Sequence, residues 1–305
     1  MIKIEVEKDW SRFGKKPVIT ALSYSLIYLF WTILFVGFRN DHLAFLIISL
    51  IAWFATPTSR RIYSDFFVFI LYWIIYDSMR VYPNYKFNPV HIQQPYDIEK
   101  SLFGIPYSDT ILTPNEYFAI FHSSFLDLLT GTFYLNWVPL PFFFAFYFYL
   151  TGRIKLFRDF AFAFLFVNIL GFIIYYIYPA APPWYVALHG FEFIPETMGN
   201  SAQLYRFDEL VGLPVFASLY EKNANVFAAI PSLHSAYPVI LLYYGSKLKR
   251  PWLNALFVFF MLGIWFSAVY SGHHYIIDVI LGALVAVLGI TIYEVVANKL
   301  HPNRT

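Results

Sequence analysis

Apolar residues in this chain collect into eight runs separated by short polar breaks, at 18–38, 42–56, 63–80, 136–151, 159–178, 235–247, 252–271 and 275–297. A membrane-spanning helix needs about 20 apolar residues, or somewhat fewer inside a bundle. The second and sixth runs are short, and read as tilted members of a bundle or as half-inserted segments. Backbone polar groups surrounded by lipid must be satisfied within their own segment, so all eight runs are expected to be helices. The fold class that follows is all-α, a polytopic transmembrane helical bundle of about six to eight spans. Residues 1–305 read as a single membrane domain, with 1–62 holding the N-terminal spans. Two long intervals, 81–135 and 179–234, are rich in aromatic residues and poor in Gly/Ser tracts, and are expected to form ordered caps over the bundle. Within the first, Glu116 to Tyr134 is semi-apolar and is expected to lie along the interface as an amphipathic helix.

Composition points to lipid as the main solvent. Hydrophobic residues make up 59% of the chain and charged residues 13%, against about 25% charged in soluble domains. Aromatic residues make up 22%, including 25 Tyr and 8 Trp, whose rings suit the boundary between water and lipid. A formal charge of +2 gives no reason to expect a nucleic-acid partner. The absence of cysteine excludes disulfides, thiolate metal sites and cysteine nucleophiles. The first sixteen residues are polar and basic, and the run after them is long enough to span, so it reads as a retained first helix rather than a cleaved signal.

The basic residues set an orientation. With the N-terminus in the cytoplasm, the internal segments hold 15 of the 21 Lys and Arg, and the external segments hold Arg39, Arg80, Lys86, Lys100, Arg206 and Lys222. Basic residues favour the cytoplasmic side, so both termini are expected inside, as eight spans require.

Three histidines cluster at expected external helix ends: His234 in the run FAAIPSLHS at 227–235, and His273 and His274 in YSGHHYIID at 270–278. His274 and Asp278 are four apart and are expected to share a helix face, with Asp278 one turn deeper. A carboxylate inside a span is costly and is usually paired. Bonded to one ring nitrogen, it fixes the tautomer and frees the other nitrogen as nucleophile or base. Taken alone, the pair serves equally well as a structural bond between helices. Ser232 follows Pro231 as a helix N-cap, which puts His234 in a first turn, and His274 is expected in another after the Ser271–Gly272 break. Two helix N-termini on one membrane side would favour a phosphate.

Together, P-S-x-H and, 40 residues on, H-x-x-x-D resemble the type-2 phosphatidic acid phosphatase superfamily, and within it the inositol phosphorylceramide synthase branch. The strings YPAAPPWY at 178–185, YDSMR at 76–80 and PYDIEKSLFG at 95–104 are also similar to that branch. The resemblance covers roughly 75–300 and makes 63–300 the expected catalytic core, with its active site at the external interface. It implies that His274 takes the phosphoryl group, Asp278 orients and charge-balances it, and His234 protonates the departing lipid alkoxide and then deprotonates the incoming hydroxyl.

One departure shifts the reading. Phosphatase members carry a K-x6-R-P element and an S-R pair before the second histidine. Here Ser267 matches the serine, Ala268 stands where the arginine would be, and no K-x6-R-P occurs. The phosphate would need other cations, with Arg80, Lys100 and Arg206 as candidates, each of which can equally serve as a lipid-headgroup contact. Ser232, His273, Trp184 and Tyr185 are the other expected substrate contacts. The prolines before Trp184 also read simply as a helix stop, and the two aromatics as interface anchors. The expected reaction is transfer of a phospho-headgroup from a membrane phospholipid to a lipid hydroxyl, with phosphoinositol and ceramide implied by the resemblance alone and no cofactor or metal. A lipid phosphate or polyprenyl diphosphate phosphatase remains an alternative. So does a non-enzymatic transporter with a His–Asp relay or a zinc site.

Overall fold

The computed structural model describes residues 11–137, 139–221 and 225–300. Lys3, Lys8, Lys222 and Arg304, used above for orientation, lie outside the described residues. Almost every element is helical, as the apolar runs require. The chain divides into two compact units between Tyr82 and Pro83, with Leu150–Gly152 grouped with the first.

In the first unit, α1 (Lys15–Trp31) runs on through a π-helical turn at Thr32–Val36 and is followed by α2 (Asn40–Ala55), α3 (Pro57–Asp65) and α4 (Phe67–Ser78). Thr56 caps α3, its hydroxyl accepting from the Ser59 amide at 2.9 Å. Leu22, Leu26, Ile27 and Phe30 on α1 are exposed, the outward apolar surface expected of a helix solvated by lipid. The buried charge here is compensated. Arg39 Nη2 donates to both Asp77 oxygens at 2.9 Å, and His42 Nε2 lies 3.1 Å from the same carboxylate.

The second unit contains α5 (Gln93–Phe103), a hairpin of β1 (Ile105–Tyr107) and β2 (Thr110–Leu112), then α6 (Pro114–Ile120), α7 (Ser124–Leu135) and α8 (Pro139–Leu150). It continues with α9 (Ile154–Ile177), α10 (Pro183–His189), α11 (Tyr205–Val211), α12 (Val215–Tyr220), α13 (Leu233–Ser246), α14 (Pro251–Tyr270) and α15 (Ile276–Leu300). By length and composition, the segment Lys15–Val36 and helices α9, α14 and α15 can each cross a bilayer, and the pair α7 and α8 is apolar enough to form a broken span or a re-entrant loop. The chain is thus a multi-pass membrane protein.

The expected runs at 42–56 and 235–247 are helices of 16 and 14 residues. The short α13 is tolerated because it packs against α9, α14 and α15 and buries nine of its residues. Protein surrounds it where a lipid-facing helix would need full length. The face of α15 away from the bundle carries exposed Leu281, Leu284, Val287 and Leu288.

The single interfacial helix expected over 116–134 is instead two. Ser123 restarts the chain as the N-cap of α7, accepting from the Leu126 amide at 3.4 Å. α7 then turns Asp127, Thr130, Gly131 and Tyr134 inward and packs on α14 and α11. The polar side chains that suggested an interfacial face are therefore buried against protein.

Candidate active site

Two helix starts and one helix end meet around the histidines. Ser232 begins α13, with its hydroxyl accepting from the Ser235 amide at 3.4 Å. That start is docked onto α15: the Ser232 amide donates to the Asp278 carbonyl at 3.0 Å, and the Ser235 hydroxyl donates to the Val279 carbonyl at 2.9 Å. So close an approach requires Gly282, where any Cβ would collide with the Ser232 carbonyl and the Ser235 hydroxyl. Such small-residue contacts are how membrane helices bring their backbones together.

α14 ends in a turn that carries both other histidines. The Ala268 carbonyl accepts from the His273 amide at 3.1 Å and the His274 amide at 3.0 Å. Gly272 closes the turn with φ of +74°, a conformation that few side chains tolerate. His274 therefore precedes α15, which starts at Ile276, and does not sit in its first turn as the spacing suggested. The expectation of two helix N-termini open to phosphate also changes. The first amides of α15 are occupied, since Ile276 and Ile277 donate to Glu99 at 2.9 and 3.2 Å and Tyr275 donates to Asp278 Oδ2 at 2.9 Å.

The structure brings the three expected catalytic side chains together. His274 Nε2 lies 2.8 Å from His234 Nδ1, and His274 Nδ1 lies 3.4 Å from Asp278 Oδ2. Asp278 is fully buried, and His274 is 5% exposed. Burial pushes the His274 imidazole down to about 3, even with a carboxylate beside it. His274 is thus a neutral ring. His274 Nδ1 faces Asp278 but makes no hydrogen bond at this distance; the tautomer with its proton on Nδ1 would leave Nε2 a lone pair and put the proton between the two histidines on His234 Nδ1.

Around this array sit residues that the sequence did not single out. The Tyr134 hydroxyl is 3.3 Å from His234 Nδ1, and the Trp137 ring meets His234 edge-on at 4.3 Å between centroids. Tyr220 stacks on His273 at 4.2 Å. A weak signal for Tyr134 existed, since it falls on the same helix face as Asp127, seven residues earlier.

The other expected site residues are distributed as follows. His273 Nε2 donates to the Ser201 carbonyl at 3.0 Å, and burial pushes its ring down to about 3. The Trp184 amide donates to the Gly272 carbonyl at 2.9 Å, while its ring packs with Ile92, Ala202 and Phe227. Tyr185 is fully buried and ties the following loop down by bonds to Glu192 and Ile194 at 2.7 and 2.8 Å. Arg206, 7% exposed, donates to the Ala119 carbonyl at 3.2 Å and lies 3.7 Å from Asp127, while its buried Nε has no hydrogen-bond partner. Lys100 donates to the Tyr96 hydroxyl at 3.3 Å. Arg80 belongs to the first unit, 3.8 Å from Asp77. Ala268 is fully buried in an apolar cluster with Tyr134, Phe207, Phe216 and Val279, so a small apolar residue is packed where the phosphatase arginine would stand. Among the described residues, no three His, Asp or Glu side chains converge as a metal-ligand set.

The sequence profile of the PAP2 superfamily matches residues 115–292. The chain is 45% identical over 282 residues to the phosphoinositol dihydroceramide synthase of Bacteroides thetaiotaomicron, covering 92% of each protein. It is 34% identical to the inositol phosphorylceramide synthase of Candida albicans over 55% of this chain and 36% of that one. The catalytic subunit of inositol phosphorylceramide synthase from Saccharomyces cerevisiae is 27% identical over 71% of this chain and 53% of its own length. The fungal relatives are therefore matched over about half their length or less. No solved structure matches the chain.

Proposed function

Because the chain belongs to the PAP2 superfamily, we propose that it moves a phosphoinositol headgroup from phosphatidylinositol to the hydroxyl of a ceramide-like lipid through a phosphohistidine. The observation that carries this reading is the convergence of His234, His274 and Asp278, at 2.8 and 3.4 Å between neighbours. The headgroup and acceptor follow the relative that aligns along most of both chains and is named for phosphoinositol and dihydroceramide.

In the first half-reaction, the His274 Nε2 lone pair attacks phosphorus. The N–P bond forms as the bond to the glycerol oxygen breaks, and His234 Nδ1 gives its proton to the departing alkoxide, releasing diacylglycerol. In the second, the acceptor hydroxyl returns a proton to His234, its oxygen attacks phosphorus, and the N–P bond breaks. One acid/base group thus serves both steps. Asp278 keeps the Nδ1 proton in place and balances the positive ring formed when Nε2 carries phosphorus.

A phosphodiester carries one negative charge, so it needs fewer cations than the monoester handled by a phosphatase. Arg206 is the strongest candidate to meet that charge. It is buried with its Nε unpartnered, and the segment before it is held to the catalytic turn by the bond from the Gln203 amide to the Ser271 carbonyl at 3.0 Å. The distribution of basic residues along the sequence supports an external site with both termini cytoplasmic.

The test is direct. Purified protein in detergent receives labelled phosphatidylinositol with and without ceramide or dihydroceramide, and lipid products are identified by mass spectrometry. An inositol phosphoryl product that requires the acceptor is expected. Rapid release of inorganic phosphate from phosphatidic acid, with no lipid-to-lipid exchange, overturns the proposal in favour of a phosphatase.

A further inference from the structure

We propose that Glu99 and Asn115 are positioning residues that together clamp the turn carrying His274. Neither belongs to the His–His–Asp array, and both come from the external segment between Pro83 and α7. Glu99, on α5, accepts from the Ile276 and Ile277 amides at 2.9 and 3.2 Å. Asn115, in the first turn of α6, donates through Nδ2 to the Val269 carbonyl at 2.7 Å and to the His274 carbonyl at 2.9 Å. One residue satisfies the donors at the start of α15, and the other satisfies acceptors on both sides of the turn.

These four bonds fix the backbone on either side of the reacting side chain. Ala268 already holds the His273 and His274 amides, so the clamp completes the set that leaves His274 no freedom to swing away from Asp278. The hairpin β1–β2 links α5 to α6 and sets the spacing between the two side chains. Gly104, where a Cβ would collide with the Lys100 carbonyl, lets the hairpin leave α5 at once.

The choice of a carboxylate is physically informative. Glu99 has no exposed surface, and among the described residues no ion pair to it is present. A buried unpaired carboxylate is costly. It is retained here by two backbone N–H bonds and the positive end of the α15 dipole. Burial still pushes Glu99 up to about 7, opposed by those N–H bonds and assisted by the neighbouring Asp278 carboxylate. The other ionisable groups around it are Tyr275 on the turn, Tyr96 and Lys100 on α5, and Glu116 on α6. Protonation removes a strong acceptor from one of the two amides, so the grip on the turn should weaken as pH falls through neutrality.

This inference rests on the reading of His274 as the reacting histidine, and its test separates the two. Glu99→Gln and Asn115→Leu are prepared in the full-length protein and, for exchange measurements, also in a His274→Ala background. The expected result is faster amide hydrogen exchange confined to the 269–280 peptides in both backgrounds. In the active background, kcat should fall about ten- to hundredfold with little change in KM for the phospholipid. Glu99→Gln should also flatten the acid limb of the wild-type pH–rate profile. Unchanged exchange at 269–280 overturns the clamp whatever reaction the protein performs. Wild-type kcat and pH profile in Glu99→Gln also overturn it, as does exchange that rises throughout the protein along with the loss of activity, since that marks a merely structural role.

Discussion

His234 Nδ1 and His274 Nε2 are in direct hydrogen-bond contact, 2.8 Å apart. No phosphorus with its oxygens fits between two nitrogens at that distance. Donor binding must therefore part the rings, which frees His234 Nδ1 to face the leaving lipid oxygen in the proposed reaction. The resting bond thus orients both rings toward one another, and His234, held neutral by burial, must take up a second proton to act as the acid in the first step.

Replacing His274 with alanine should abolish turnover while the protein still inserts and keeps its helical circular dichroism. Asp278→Asn should lower kcat by about 10³- to 10⁴-fold, because an amide can orient the ring but cannot balance the charge that develops on it. Substantial activity in His274→Ala would remove that residue from the nucleophile role.

Acid should destabilise the fold through the buried histidines. His273 and His274 are held near 3 against about 6.5 in an unfolded chain. The unfolded state therefore binds more protons between those values, so stability is full above about 6.5 and is lost as pH falls toward 3. The thermal midpoint in detergent should drop between about pH 7 and pH 5. His273→Gln should make that decline shallower, and an unchanged slope would rule out this source.

Acceptor hydroxyl should outcompete water at the covalent intermediate. Ala268 is sealed in apolar packing, and the Tyr134 and Trp137 rings lie against His234. Excluding water would protect the phosphohistidine. Free inositol phosphate should be scarce when ceramide is present, as product analysis of the same reaction will show. Hydrolysis matching transfer at saturating acceptor would contradict this.

Gly282→Ala should separate the starts of α13 and α15. The new methyl meets backbone at the Ser232 carbonyl, where yielding is difficult, and the cost should be about 1–3 kcal/mol. Reduced thermal stability together with a large loss of kcat is expected. Stability lost with kcat intact would show that the contact between these helices does not set the His234–His274 distance.

The external placement of the site is checked by impermeant thiol labelling of a single cysteine at Ser101, which is exposed on α5. The alternative position in the second external segment, Asn223, lies outside the described residues. Labelling in sealed right-side-out membranes is expected. Labelling only after the cytoplasmic face is opened reverses the orientation.

What the sequence made legible was local. The Ser232 cap and the apolar runs depend on neighbours within a few positions and formed the elements they implied, while the four-residue spacing of His274 and Asp278 brought the two side chains within 3.4 Å without placing His274 in the helix. The departures have long-range causes. α15 begins at Ile276, whose amide is taken by Glu99, 177 residues earlier, a partner no local pattern indicates. The helix expected over 116–134 breaks because α7 buries polar residues against α14 and α11. Tyr134 and Tyr220 reach the histidines only through packing among α7, α12 and the catalytic turn, and no spacing rule relates them. Arg206 was legible as a cation but not as a buried one.

The Ala268 carbonyl that anchors both histidine amides is the end of a span. α14 has 20 residues, which is about 30 Å of helix, and exposes Phe259, Leu262 and Phe266 outward. A bilayer whose hydrocarbon thickness departs from that length tilts such a helix or deforms around it, and here a tilt would reach the carbonyl that holds the His274 amide. Turnover is therefore expected to depend on bilayer thickness. Reconstituted in phosphatidylcholine bilayers of graded acyl length, the enzyme should show a kcat maximum at one thickness, whereas a flat response would mean that the turn is insulated from its span.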